Sequence, residues 1–384
     1  VNKERLLSFS QDLIQLKSLS GNEESVARRI VREMEDLGYD EIHTDRFGNV
    51  RGKITGKGER SLLFEGHMDT VDVPNPSEWS VDPFGGVVKD GKLYGRGAAD
   101  MKAALAAMVH GVADVAKQEH EADIHVVAVV YEEVFEGVGF GKVLDDLSVD
   151  AVVLGEPNSL KIAIGQKGRA ELVVETKGVN AHSAHPEKGV NAIDQMRMLL
   201  GELEKLPVKK SETLGEGIMV ATDIVSSPYP GTSIVPSRCR VTFDRRLVEN
   251  ETKESVLEPL LASIDELERR DNSFRAEVRY AVEALPTYTG ETLESERFYP
   301  GWRIDEEDFI VRKAKTVYSE LGMEIKFHNY QFCTDGSESA GKRHIPTIGI
   351  GPGRAEHAHV VDEYVEVQEL CLAAVIYGNL AKIF

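Results

Sequence analysis

The run Leu62-Leu63-Phe64-Glu65-Gly66-His67-Met68-Asp69, followed further along by Gly95-Arg96-Gly97-Ala98-Ala99-Asp100-Met101, decides how the rest of the chain is read. Residues 62–64 are apolar and predict a short buried strand, so His67 and Asp69 stand where that strand ends and the chain turns. Asp69 lies two residues beyond His67, a spacing at which a carboxylate can fix the imidazole tautomer while the other ring nitrogen binds a metal. Asp100 opens an Ala-rich helix expected over residues 101–118, with Leu105, Met108, Val112 and Val115 on its apolar stripe. Its carboxylate is either a helix cap or a ligand.

The same pattern recurs. An apolar run over 124–131 ends in Glu132-Glu133, and two adjacent acids at a strand end need either water or a cation. Residues 151–154 lead into Gly155-Glu156-Pro157, and residues 346–350 into Gly351-Pro352-Gly353 and His357-Ala358-His359. Four short strands, each followed by a histidine or an acid, with helical segments between several of them, predict an open α/β sheet. In such a sheet, groups past the carboxyl ends of the strands converge on one crevice. His67, Asp100, Glu133, Glu156 and His359 suit Zn²⁺ or a similar divalent ion and are too few for two separate closed sites. If Asp100 bridges, each of two ions receives one histidine, one terminal carboxylate and a share of Asp100. A water lying between them would have its pKa lowered toward about 7. Glu132, beside Glu133 but pointing elsewhere, is then placed to take that water's proton and hand it to a leaving amine. The chemistry implied is amide hydrolysis.

Composition bounds this reading. A chain of 384 residues, 41% hydrophobic, is long for one ordinary domain, and two are expected. The balance of 45 basic against 65 acidic residues, a net charge of -20, argues against a nucleic acid partner and an anionic membrane surface. Cys239, Cys333 and Cys371 are far apart, in no metal-ligand spacing and odd in number, which suggests a reducing compartment. With no signal-peptide core in the first residues and no uninterrupted apolar span, a cytoplasmic protein is expected.

Working outward, residues 6–16 predict a helix. A second is expected from Ser20, whose spacing to Glu23 suggests a capping box, with Val26, Ile30, Met34 and Leu37 as its stripe and Gly38 as its stop. Strands are expected over 49–54 and 61–64, and a Pro- and Gly-rich loop over 74–86. In the middle of the chain, residues 171–176 and 240–248 alternate as strands, the latter placing Asp244 and Arg246 on one face, opposite Arg245. A helix is expected from Asn191, and residues 249–271 carry an amphipathic helical pattern.

The runs Gly66-His67-Met68-Asp69-Thr70-Val71, Gly95 to Lys102, Glu132-Glu133, Gly155-Glu156-Pro157 and Ala358-His359 resemble, in order, the motifs of the aminoacylase/carboxypeptidase family of dizinc hydrolases, which includes acetylornithine deacetylase and succinyl-diaminopimelate desuccinylase. The resemblance implies a mixed-sheet α/β catalytic domain of dizinc exopeptidase type, residues 1–167 and 285–384, with an inserted smaller α+β lid or dimerisation domain, residues 168–284. It implies two Zn²⁺ per subunit, cobalt or manganese being possible substitutes. One zinc would be held by His67, Asp100 and Glu156, the other by Asp100, Glu133 and His359. It further implies Glu132 as general base, Asp69 as the acid orienting the histidine, and a cis peptide after Asp100. In the lid, Gly178-Val179-Asn180-Ala181-His182-Ser183-Ala184-His185-Pro186 resembles the family motif whose first histidine, here His182, reaches the scissile carbonyl, often from a partner subunit; a homodimer through the lid follows. Arg246 matches the arginine that holds the substrate's carboxylate. Ser233 stands where many relatives carry asparagine, and Gly336, in Thr334-Asp335-Gly336-Ser337, lies in a loop that resembles one near the substrate. The aromatic segment 288–302 is similar to a branch of uncharacterised hydrolases associated with selenium metabolism. The implied activity is removal of an acyl group from an amino acid, or cleavage of a small peptide with a free carboxylate. A dizinc aminopeptidase or dipeptidase reading a free amine, and a metal-stabilised binding protein without turnover, are the alternatives.

Overall fold

The computed structural model describes residues 1–115 and 118–384. The chain divides into two compact units. One comprises Val1–Gln166, Ala284–Glu294 and Arg303–Phe384, the other Lys167–Glu283 and Ser295–Trp302. The short piece Ser295–Trp302 departs from the division drawn from sequence, because Phe298 and Tyr299 pair with Ala170 and Arg169 and Phe298 packs in the second unit's core.

In the first unit a central mixed sheet is flanked by helices. Across it run the strands Glu41–Thr44, Val50–Ile54, Asp123–Val129, Ser61–His67, Ala151–Leu154, Thr347–Gly349 and Ile162–Gln166, in that spatial order. The four from Asp123–Val129 to Thr347–Gly349 are mutually parallel, with His67 opposite Val129 and Phe64 between Val126 and Val153. Parallel strands buried on both faces read as unbroken apolar runs rather than alternating ones. Their shared direction brings all four carboxyl ends to one edge.

Behind that edge lies helix Lys102–Ala113, buried over its whole length. An apolar surface all round belongs to a helix with neighbours on every side. One neighbour is helix Val367–Ile383, close enough that a methyl on Gly111 would sit 2.3 Å from the Ala374 carbonyl oxygen. Lys102 is admitted to this interior because its Nζ donates to the carbonyls of Leu13 and Leu16 at 3.0 and 2.7 Å. The helix is shorter than its stripe suggests: Val115 lies beyond its end, and residues 116 and 117 of the expected span fall outside the described residues.

A second correction concerns the helix expected from Ser20. It begins at Glu24, with Glu23 as an N-cap that makes no side-chain cap bond. Ser20 donates instead to Asp69 Oδ2 at 2.6 Å, and Glu23 Oε1 accepts the Gly21 N–H at 2.8 Å. A partner distant in sequence takes the Ser20 hydroxyl away from the local cap.

The second unit is an antiparallel sheet in the order Ile218–Ser227, Arg238–Leu247, Gly168–Lys177, Ala276–Tyr280. Helices Ala192–Leu203 and Lys253–Arg270 cover one face, where Met196, Leu199, Leu260 and Ile264 share a core with Leu172, Val174, Val241 and Phe243. Asn191 caps the first helix through the Ile193 N–H, and Thr252 with Ser255 forms a capping box on the second. Among the described residues, no helix is long and apolar enough to cross a membrane.

Candidate metal centre

The carboxyl edge of the first unit's sheet gathers the strand-end residues. His67 Nε2 lies 3.0 Å from Asp100 Oδ1, and His359 Nε2 lies 3.3 Å from Asp100 Oδ2 and 2.9 Å from Glu133 Oε2. Donor atoms of His67, Asp100 and Glu133 all fall within 4.8 Å of one another, as do those of His67, Glu132 and Glu156. Asp100 thus points one oxygen at each histidine. It is not a helix cap: Met101 occupies the N-cap position, and the Asp100–Met101 peptide is cis.

Backbone conformation aims the other side chains. Tyr131 takes a left-handed φ of 63°, which breaks the chain from strand Asp123–Val129 into the short helix Glu132–Phe135. The two acids therefore diverge, Glu133 toward His359 and Glu132 toward His67, with Glu132 Oε2 at 4.0 Å from His67 Nε2. His359 follows the turn Ala355–His357 with a φ of 63° of its own.

Asp69 differs from the role the two-residue spacing suggests. The His67 Nδ1–H donates to the backbone carbonyl of Asp69 at 2.9 Å, and the nearer carboxylate oxygen is 3.6 Å away. The tautomer is still fixed from residue 69, by main chain, leaving Nε2 as the ligand nitrogen. The freed carboxylate accepts the backbone N–H groups of Glu132 and Glu133 at 3.1 and 3.2 Å.

The electrostatics ask for cations. Burial pushes Glu132 and Glu156 well above the usual carboxylate range, and neighbouring acids, Glu156 and Asp100 respectively, push further. Glu133 is raised by burial and by Asp100, and among the described residues its Oε1 is buried without a hydrogen-bond partner. Burial also works against the Asp100 charge, but hydrogen bonds from His359 and His67 prevail and hold its carboxyl far below the normal value. His359, bonded to Asp100 and Glu133, is lifted to about 10, and the surrounding acids, Asp100 foremost, raise His67 despite its burial. Protonated imidazoles here do what a metal ion would do better. An N and O donor set of two histidines and several carboxylates, one oxygen of it unpartnered, fits a divalent cation such as Zn²⁺.

The remaining expected residues lie as follows. Gly336, in the first unit, is buried and its N–H donates to Thr334 Oγ1 at 3.1 Å, so that amide is not free for a substrate. His182, Ser233 and Arg246 belong to the second unit. His182 is exposed in a shallow cleft with Asn180, Pro228 and Ser233, and its Nδ1 accepts the Ala184 N–H at 3.0 Å. The neutral ring then carries its proton on Nε2, as a donor. Ser233 adopts a φ of 59°, left-handed backbone that asparagine tolerates better, and its carbonyl accepts the Ser183 N–H at 3.1 Å. Arg246 donates through Nε to Asp244 Oδ1 at 2.9 Å, while Arg245, on the opposite face, is buried against Glu251.

Among the buried acids near the centre, Glu23 was expected only as a helix cap and Glu363 was given no role. Glu23 also accepts the Tyr131 N–H, at 3.3 Å, and Glu363 is fully buried beneath the Asp100 loop. Glu363 lies just before strand Tyr364–Glu366, two residues from the buried Val365, and an acid in step with that apolar position was the available signal.

A family model described as peptidase family M20/M25/M40 matches residues 63–383. The uncharacterized protein YgeY of Escherichia coli (strain K12) is 32% identical over 380 residues, covering 97% of this chain and 92% of that protein. Succinyl-diaminopimelate desuccinylase 2 of Ruegeria sp. (strain TM1040) is 25% identical over 394 residues, covering 98% and 94%. Among solved structures, aminopeptidase PepT from Bacillus cereus superposes with a TM-score of 0.77 at 22% identity, covering 100% of this chain and 98% of that one. Bacillus subtilis YXEP, a dinuclear metal binding peptidase, gives 0.73 at 16% identity, covering 99% and 98%. The two superpositions speak to the fold. The family match, extending over most of the 384 residues, carries the assignment: this chain belongs to peptidase family M20/M25/M40.

Proposed function

We propose that this M20-family metal-dependent hydrolase holds two divalent ions and cleaves the amide bond of an N-acyl amino acid, or of a small peptide, that ends in a free carboxylate. The observation that carries this reading is Asp100 with one oxygen toward each of two histidines, beside a further buried acid, Glu132. His67, Asp100 and Glu156 would hold one ion and Asp100, Glu133 and His359 the other. Zinc fits the donor set, and cobalt or manganese could replace it. When bound, the ions supply Lewis acidity that polarises the scissile carbonyl and lowers the pKa of water toward about 7.

The chain's own residues do the rest. Glu132 takes a proton from the attacking water as the water's oxygen bonds to the acyl carbon, and delivers it to the nitrogen as the C–N bond breaks. His182, a donor through Nε2, stabilises the negative charge that develops on the carbonyl oxygen. Arg246 pairs with the substrate's carboxylate.

A homodimer through the second unit is part of the proposal. It is supported by strand Ile218–Ser227 at the edge of its sheet, where Ile218, Val220, Ile224 and Val225 are exposed, since such an edge is a template for pairing. Three free cysteines support a reducing, cytoplasmic setting.

The test is a panel of N-acyl amino acids, dipeptides and amino-acid amides offered to metal-reconstituted protein. Turnover that requires the free carboxylate upholds the proposal. Cleavage of substrates with a free amine and no carboxylate would replace it with an aminopeptidase, and no turnover at all with a metal-stabilised binding protein.

A further inference from the structure

We infer that Glu363 is an internal carboxyl group around which the Asp100 loop is folded, and so a positioning residue for the metal pair; this rests on the reading of Asp100 as the bridging ligand. Glu363 is fully buried. Its Oε1 accepts three backbone N–H groups, from Gly97 at 3.0 Å, Ala99 at 2.9 Å and Asp100 at 3.1 Å, and its Oε2 takes the guanidinium of Arg96. N–H groups converging from a loop with a left-handed residue, here Gly97 at a φ of 87°, make the kind of concavity that binds anions. In this chain a carboxylate from more than 260 residues away fills it. A methyl on Gly97 would meet Thr70 Cγ2 at 2.9 Å, so the loop has little room to refold.

The arrangement reaches Asp100 through its own N–H, the group nearest its side chain. It also reaches His359, four residues before Glu363. The chain after His359 is tied to the chain before the loop: Gly95 N–H donates to the Glu363 carbonyl at 2.9 Å, and Tyr364, Val365 and Glu366 pair with Tyr94, Leu93 and Lys92. The carboxylate itself holds Asp100, while His359 is tied to the same loop through the main chain of residues 363–366, so the segment that carries Glu363 adjoins two of the three ligands of the second ion and one of the three of the first. Loss of the Glu363 carboxylate should loosen the second ion more than the first.

The experiment titrates metal-free wild type, Glu363→Gln and Glu363→Ala with Co²⁺, following the visible spectrum and the metal retained after dialysis, with circular dichroism as the check on folding. The expected result is two ions in the wild type. In the folded glutamine variant, the first ion should bind only slightly more weakly, and the other about 10- to 100-fold more weakly with an altered spectrum. The alanine variant, if folded, should lose more. Glutamine fills the same space, so it decides the matter if alanine does not fold. A folded glutamine variant with both ions at wild-type affinity overturns the inference. Equal weakening of both ions, or a glutamine variant that cannot fold, also overturns it, since the role would then not be specific to Asp100 and His359. A wild type that takes fewer than two ions overturns the dinuclear reading, and this inference with it.

Discussion

Asp69 holds Glu132 by the main chain: its Oδ1 accepts the Glu132 N–H at 3.1 Å, while Oδ2 takes the Glu133 N–H at 3.2 Å and the Ser20 hydroxyl at 2.6 Å. One carboxylate thus sets the start of the turn from which the proposed base and a proposed ligand diverge. In Asp69→Asn the new amide must face one of these donors with a donor of its own. We predict that kcat falls about 10²-fold with both ions retained, since a small displacement of a reacting group costs that much. Steady-state kinetics with metal analysis on the same samples checks it; an unchanged kcat would contradict the role.

Metal binding should expel protons. In the metal-free protein His359, lifted to about 10 by Asp100 and Glu133, is protonated at neutral pH. A cation takes neutral imidazole, so at least about one proton leaves as the centre fills. Affinity should therefore rise with pH through the neutral range and fall on acidification. Calorimetric titration in buffers of different ionisation heat measures the protons released; zero release would contradict the ligand assignment of His359.

In the second unit, the two proposed substrate contacts should separate kinetically. His182→Ala removes a donor to the developing oxyanion and should lower kcat about 10²- to 10³-fold. Arg246→Ala should act mainly on KM, and Arg246→Lys should not restore it fully, because a point charge cannot reproduce a guanidinium fork. If His182 serves the partner's site, mixing inactive His182→Ala with inactive Glu132→Ala protein should recover activity in mixed dimers; a fully active monomeric form would contradict that role.

The sheet and the strand-end residues were legible because each apolar run is buried on both faces and ends in a residue with no place in a core. His67, Glu133, Glu156 and His359 needed only that local contrast. What sequence could not carry was the conformation between them. The left-handed turn at Tyr131 brings two amides onto Asp69, and nothing in the His67-to-Asp69 spacing announces it. Ser20 and Glu23 have the spacing of a capping box, yet Ser20 donates to Asp69 and Glu23 accepts from Tyr131 as well as from the nearby Gly21. Ser295–Trp302 joins the second unit through a strand pairing that spans more than a hundred residues and has no local signature.

The fold should also carry an acid-sensitive element remote from the proposed chemistry. His125, in the parallel strand Asp123–Val129, is lowered from 6.5 to about 4, chiefly by burial and then by Arg51. Between those values the unfolded chain binds a proton that the folded protein refuses, so this stabilisation is present above pH 6.5 and is lost as pH falls toward 4. At about 1.4 kcal/mol per pH unit the loss is on the order of 3 kcal/mol. Denaturant unfolding of wild type and His125→Val at pH 7 and pH 4.5 checks it: the variant should lose less stability on acidification, and an equal loss would contradict the assignment.

The central claim is that Glu132 moves the proton while other residues hold the ions, and kcat of Glu132→Gln, measured on a substrate the wild type cleaves and at full metal occupancy, tests it most directly. The account predicts a fall of about 10²- to 10⁴-fold, the range for a lost general base. A variant that keeps both ions and turns over at the wild-type rate would contradict it.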